Sequence, residues 1–171
     1  MKKDKNVSCL SLIGMPGSGK STLVRPLATA LEYTWVDTDL LIEAWFGAPL
    51  EEIKIHLGNK DFLRAEEYLI SHLSVERCVI ATGGSVIYSN MAMERLRELG
   101  RIIYLRCTLD AIKARIGPNP KRGLIIKKGQ GIEDLYRERT PLYEKFADLI
   151  IETDILSPQE CVKKILRWFN Q

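Results

Sequence analysis

"IGMPGSGKST", residues 13–22, decides the fold. Gly14, four residues, then Gly19, Lys20 and Ser21 fit the Walker A pattern G-x-x-x-x-G-K-[ST]. An apolar run, "CLSLI" (9–13), precedes it, and "STLVRPLATALE" follows with helical character. Strand, Gly-rich loop and helix are the context that the motif requires. Gly14, Gly17 and Gly19 let the backbone turn its N–H groups inward onto phosphate oxygens. The helix that opens near Lys20 adds the positive end of its dipole. Lys20 is then expected at the β- and γ-phosphates of ATP, and the Ser21 hydroxyl on Mg²⁺. The loop residues Pro16, Ser18 and Thr22 complete the expected ATP cradle. A Gly-rich turn that merely caps a helix is the plain alternative, and the intact motif with both flanks argues against it.

Composition allows this reading and narrows it. At 171 residues the chain is expected to form one domain with a substantial core. A hydrophobic share of 46% and a charged share of 27% are those of a globular protein. A net charge of +3 gives no argument for nucleic acid or an acidic membrane as partner. No apolar run approaches a membrane span, and the polar start "MKKDKNVS" does not read as a signal peptide. Cys9, Cys78, Cys107 and Cys161 are scattered without a C-x-x-C pair, and His56 and His72 complete no metal cluster. A monomer in the reducing cytoplasm is the simplest expectation.

Short apolar runs recur at "TWVD" (34–37), "CVIAT" (78–82), "RIIYLR" (101–106) and "DLIIET" (148–153). Helical spacing fills the intervals, as in Phe62, Leu63, Tyr68, Leu69 and Leu73 within 59–76. Alternation of this kind predicts an α/β fold, a parallel sheet covered by helices on both faces. Ligands then belong at the carboxyl ends of the strands. "GPNPKRGLIIKKGQG" (117–131) interrupts the pattern with four glycines, two prolines and four basic residues. It reads as a basic flap over phosphates, with an ordinary surface loop as the alternative.

Three classes share a P-loop. A GTPase needs N-K-x-D, and "GNKDF" puts Phe62 where the Asp must stand. A motor or transporter ATPase needs an Asp ending its Walker B strand, a place held here by Ala81. A small-molecule kinase remains. "VDTDLLIE" (36–43) then supplies Asp37 for the Mg²⁺ shell and Asp39 for a substrate hydroxyl. Capping of the next helix by Thr38 or Asp39 is the alternative use of this stretch.

Together these residues resemble the shikimate kinase family over nearly the whole chain. "GMPGSGKST" corresponds to its P-loop and "VDTDLLIE" to its D-x-D element. "LRAEE" (63–67) is similar to F-R-x-x-E, with Arg64 and Glu67 kept and Leu63 in the Phe position. "ATGGS" (81–85) resembles its Gly-Gly-Gly loop. Arg115 and "KRGL" (121–124) resemble its adenine-side arginine and its lid R-P-L-L, and "RTPLYEKFAD" (139–148) its R-x-P-L-Y-x-x-x-A-D helix. The resemblance implies a three-layer fold with a five-stranded parallel sheet, an acceptor-binding helical segment (38–76) and a short lid (117–131). It implies Arg115 and Arg122 on ATP, and Asp39, Arg64, Gly83, Gly84, Ser85 and Arg139 on the acceptor. Lys20, Asp39 and Arg122 become the catalytic set, with Mg²⁺ on Ser21 and Asp37. Arg64 as an exposed charge, or Arg139 as a partner of Glu144 or Asp148, are the structural alternatives.

Two departures concern the acceptor side. Ser85 stands for the third glycine, and Gly123 for the lid proline. Shikimate is the expected acceptor, homoserine the alternative on the same arginines with Asp39 or Glu67 meeting its ammonium, and gluconate-type acids come third. AMP or CMP would mark a nucleotide kinase. A regulatory module that holds ATP without turnover is the reading from another class.

Overall fold

In a computed structural model, which describes residues 8–117 and 129–170, the five apolar runs become five strands. They are β1 (Cys9–Ile13), β2 (Thr34–Asp37), β3 (Cys78–Ala81), β4 (Gly100–Arg106) and β5 (Leu149–Glu152). The sheet order is β2-β3-β1-β4-β5, and each neighbouring pair is parallel. Parallel neighbours need crossover connections, and helices supply them. With both faces covered, a central strand loses polar alternation, and all five residues of β1 are buried.

The pleat sorts the side chains into two cores. Leu10, Leu12, Val79, Ala81, Ile103, Leu105 and Ile151 pack against α1 (Lys20–Leu31) and α7 (Pro158–Phe169), which contribute Leu23, Leu27, Cys161 and Ile165. Cys9, Ile13, Cys78, Ile80, Ile102 and Tyr104 face the other way. They meet Met93 and Leu96 of α4 (Asn90–Leu99), Ile112 of α5 (Leu109–Ile116), and Leu135 and Tyr143 of α6 (Ile132–Phe146). Burial of each large aliphatic side chain stabilises by roughly 1.5–3 kcal/mol. All four cysteines are buried free thiols within or beside these layers.

A smaller third core, Ile42, Ile53 and Phe62, ties α2 (Thr38–Phe46) to α3 (Leu50–Ser71). The helix expected over 59–76 therefore starts earlier, at Leu50, and stops at Ser71. It is broken at Gly58, whose φ of 70° lies in the left-handed region open to glycine. The break lets Ile53 before it and Phe62 after it both reach Ile42. No helix among the described residues is long and apolar enough to cross a membrane.

The connection leaving β1 runs to one side of the sheet, and the one leaving β3 crosses to the other. A crevice opens beyond the carboxyl ends of these two neighbours.

Candidate active site

The P-loop leaves β1 and enters α1 at that crevice. Gly14, Gly17 and Gly19 have φ of 150°, 78° and 99°. At Gly14 a Cβ would lie 2.7 Å from both the Leu105 carbonyl oxygen and Ser18 Oγ, so only glycine fits. Gly19 opens α1 in the left-handed conformation with no side-chain cap, which leaves first-turn N–H groups for an anion. Lys20, nearly buried, donates Nζ to the carbonyls of Gly14 (2.7 Å) and Met15 (2.9 Å). Burial pulls its pKa down to about 8, against the opposing pull of Asp39 and Asp37.

From the first turn of α1, Ser21 Oγ donates to Asp37 Oδ2 across 2.9 Å. Asp37 Oδ1 accepts from the Asp39 backbone N–H, at 3.0 Å, and so caps α2. The capping expected of Thr38 or Asp39 thus belongs to Asp37, which serves Ser21 with its other oxygen. Thr38 is buried and accepts from the Gly83 N–H at 3.0 Å, which docks the β3 loop beside Asp39. Burial pushes the Asp39 carboxyl above its usual range, while Lys54 and Lys20 pull it back.

A side chain at either glycine of this loop would displace its neighbours. A Cβ on Gly83 would fall 2.1 Å from Glu66 Oε1 and 2.9 Å from Asp39 Oδ1. On Gly84 it would press Pro16 Cδ (3.0 Å) and Arg139 Nη1 (3.2 Å). Ser85 does not thrust its hydroxyl at the acceptor side. It donates to the buried Glu66 Oε2 at 2.6 Å. Burial raises the Glu66 carboxyl to about 7.

Arg139, on α6, is 1% exposed. Its Nε donates to the Tyr88 hydroxyl at 3.1 Å, and its guanidinium lies 5.2 Å from that ring centroid. Glu144 and Asp148 have other partners: Glu144 pairs with Arg106, and Asp148 accepts from the Ile102 N–H. Arg115 bridges the P-loop and the end of β5, donating Nη1 to Gly17 O (3.1 Å) and Nη2 to Thr153 O (2.7 Å).

One cleft of about 810 Å³ joins these groups. Pro16, Gly17, Ser18, Gly19, Lys20, Ser21 and Thr22 line it, with Asp37, Asp39, Gly83, Gly84, Ser85, Arg115 and Arg139. Gly14 shapes the loop from beneath. Arg122 and Gly123 lie outside the described residues.

Arg64 does not join them. Its side chain is 68% exposed and pairs with Asp61 at 3.0 Å. Glu67 is turned away as well, accepting from Ser89 Oγ. Within residues 62–67 of this helix the ones that point inward are Phe62 and Glu66, 1% and 2% exposed. An F-x-x-x-E spacing places both ends on one helix face, and only Phe62–Glu66 makes that face the buried one. The pattern read over 63–67 is thus one residue late, and its arginine position is Leu63.

Sequence reasoning missed Lys54, Glu66 and the segment after β5. Lys54 lines the cleft from α3 together with Leu50, four residues earlier. That i, i+4 pair was the available signal. Thr153, Asp154 and Ser157 line the cleft near Arg115, where the carboxyl-end rule applied to β5 pointed. Trp45, Phe46 and His56 are exposed and line no part of it.

The geometry agrees with what this chain is similar to. The "Shikimate kinase" family model matches residues 16–170. The shikimate kinase of Thermodesulfovibrio yellowstonii is 35% identical over 163 residues, covering 94% of each chain. That of Pseudomonas paraeruginosa is 36% identical over 160 residues, covering 92% of this chain and 93% of its own. A solved structure of shikimate kinase from Acinetobacter baumannii in complex with shikimate superposes with a TM-score of 0.87 at 30% identity, over 96% of this chain and 94% of that one. A P-loop facing Asp39 and Arg139 across one cleft, on a chain matched over more than nine-tenths of its length by such relatives, identifies the protein as a member of the shikimate kinase family.

Proposed function

We propose that the protein transfers the γ-phosphoryl group of ATP to a ring hydroxyl of shikimate. The observation that carries this is the meeting of Lys20, Asp39 and Arg139 in one cleft. The phosphates lie in the P-loop, with Lys20 on their β and γ oxygens and Arg115 beside Gly17 and Thr153 at the nucleotide end. Arg139 holds the acceptor carboxylate, for which a guanidinium fork is geometrically apt. Gly83 and Gly84 bring backbone close to the acceptor ring.

A Mg²⁺ ion fits Ser21 and Asp37, a hydroxyl and a carboxylate already 2.9 Å apart beside the loop. Mg²⁺ takes one or two protein oxygens and completes its shell with phosphates and water. When bound, it neutralises charge on the β- and γ-phosphates.

Asp39 orients the attacking hydroxyl. As the acceptor oxygen bonds to the γ-phosphorus, the bond to the β,γ-bridging oxygen breaks, ADP leaves, and the hydroxyl proton passes to Asp39. A carboxyl displaced upward by burial is better matched to that proton than an ordinary one. A loose transition state needs mostly positioning and neutralisation. Arg122 takes the second part of that task from the lid, by its resemblance in sequence. The free buried cysteines fit a reducing, cytoplasmic setting.

The test is ADP release by purified protein with ATP and Mg²⁺, offering shikimate, homoserine, gluconate and AMP in parallel. Saturable turnover with shikimate is expected. Turnover with homoserine alone, or with none of the four, would overturn the assignment.

A further inference from the structure

Arg139 faces the acceptor end of the cleft, but Arg64, the second arginine expected there, lies exposed on the outer face of α3. The position one residue earlier is Leu63, which brings no charge. A carboxylate held in a cleft whose lining already includes Asp37 and Asp39 needs more than one cation to offset the repulsion. Among the described lining residues, the cations beyond Lys20 of the P-loop and Arg115 of the nucleotide end are Arg139 and Lys54.

Lys54 is built into its place. It leaves the first half of α3 one turn after Leu50, and both residues line the cleft. Its ammonium sits 4.4 Å from the centroid of the buried Phe62 ring, a contact that attracts a cation to the ring face. Asp39, Glu66 and Arg139 are its electrostatic neighbours. The break at Gly58 makes the arrangement possible by turning the two halves of α3 toward one another, Lys54 from the first and Phe62 from the second.

We infer that Lys54 is the second acceptor-binding cation of this enzyme: with Arg139 it holds the acceptor carboxylate, in the role that Arg64, exposed and paired with Asp61, does not fill. An ammonium is a compact point charge rather than a planar fork, so the pair reads the carboxylate by charge and reach. Leu63, packed against the Ile42, Ile53 and Phe62 core, supplies no guanidinium. The inference rests on the phosphoryl-transfer reading above.

The experiment compares wild type, Lys54→Met and Lys54→Arg with two acceptors, shikimate and its methyl ester, which lacks the negative charge. Met keeps much of the length and apolar stem of Lys54. With shikimate, Lys54→Met is expected to raise the acceptor KM by roughly tenfold to a hundredfold. The ATP KM stays unchanged and kcat moves within a few-fold. With the ester the penalty collapses to near unity, and Lys54→Arg recovers most of the loss with the acid. An equal penalty on acid and ester, or a loss confined to kcat or ATP, would overturn the inference and make Lys54 a support for Asp39. Wild type active on shikimate with Lys54→Met indistinguishable from it overturns the role of Lys54 alone. Wild type inactive on shikimate overturns the functional reading and the role of Lys54 with it.

Discussion

Ser21 Oγ and Asp37 Oδ2 stand 2.9 Å apart, joining the first turn of α1 to the end of β2. The other Asp37 oxygen caps α2 through the Asp39 N–H. One carboxylate therefore fixes the direction of Asp39 and presents an oxygen beside the P-loop. Asp37→Asn separates the two tasks, because asparagine caps as well as aspartate but brings no charge to a metal. The variant is expected to keep its melting temperature within a few degrees, while the Mg²⁺ concentration for half-maximal activity rises roughly 10–100-fold. An unchanged Mg²⁺ titration would leave Asp37 as a helix cap only.

Arg64 and Arg139 should separate cleanly. Arg64 and Asp61 are both more than half exposed, and exposed pairs of this kind contribute about 0–1 kcal/mol. Arg64→Ala is expected to leave the acceptor KM within twofold and stability almost unaltered. Arg139 is buried against Tyr88 and lines the cleft, and Arg139→Ala should raise the acceptor KM by roughly tenfold or more. Equal effects from the two alanine variants in steady-state kinetics would contradict the placement of Arg64.

The contrast shows where sequence reasoning reached and where it stopped. The P-loop was legible because its chemistry depends on backbone conformation, which Gly14, Gly17 and Gly19 announce directly. Asp37 and Asp39 were legible because one ends β2 and the other stands in the first turn of α2, both beside it. The register of α3 was not. "DFLRAEE" carries two apolar residues followed four positions later by two glutamates, so Phe62–Glu66 and Leu63–Glu67 satisfy the same pattern. Packing chose between them, since Phe62 completes the core with Ile42 and Ile53. Lys54 was hidden for a related reason. Its reach depends on the break at Gly58, and a glycine in a helical run does not say which way the two halves turn.

Glu66 makes stability depend on pH. Its carboxyl is raised from 4.5 to about 7 by burial, and Oε1 has no hydrogen-bond partner among the described residues. A raised carboxyl favours the folded state while protonated, so its contribution is present below the unfolded value and is lost as pH rises through the folded one. Glu66→Gln keeps an acceptor for Ser85 Oγ and removes the titration. The stability of the variant relative to wild type should therefore increase between pH 5 and pH 8, by about 2 kcal/mol at 1.36 kcal/mol per unit. Urea unfolding of both proteins at the two pH values measures the difference. Parallel curves would mean that neighbouring cations keep Glu66 ionised throughout.

Gly83 tests the same carboxylate from the opposite side. An added Cβ would stand 2.1 Å from Glu66 Oε1 and 2.9 Å from Asp39 Oδ1, both closer than side chains tolerate. The loop cannot simply recede, because the Gly83 N–H is anchored on buried Thr38. Gly83→Ala must therefore displace Glu66, Asp39 or both, at a cost of roughly 1–3 kcal/mol for overpacking. Turnover should fall well below wild type as Asp39 leaves its position, while ATP affinity, set by the P-loop, stays near wild type. If Glu66 is the obstacle, removing it relieves the strain. Gly83→Ala should then be less destabilising in a Glu66→Ala background than in wild type, a non-additivity expected of residues in direct contact. Additive losses in the double mutant would mean that the loop yields elsewhere and that Glu66 does not set the position of Gly83.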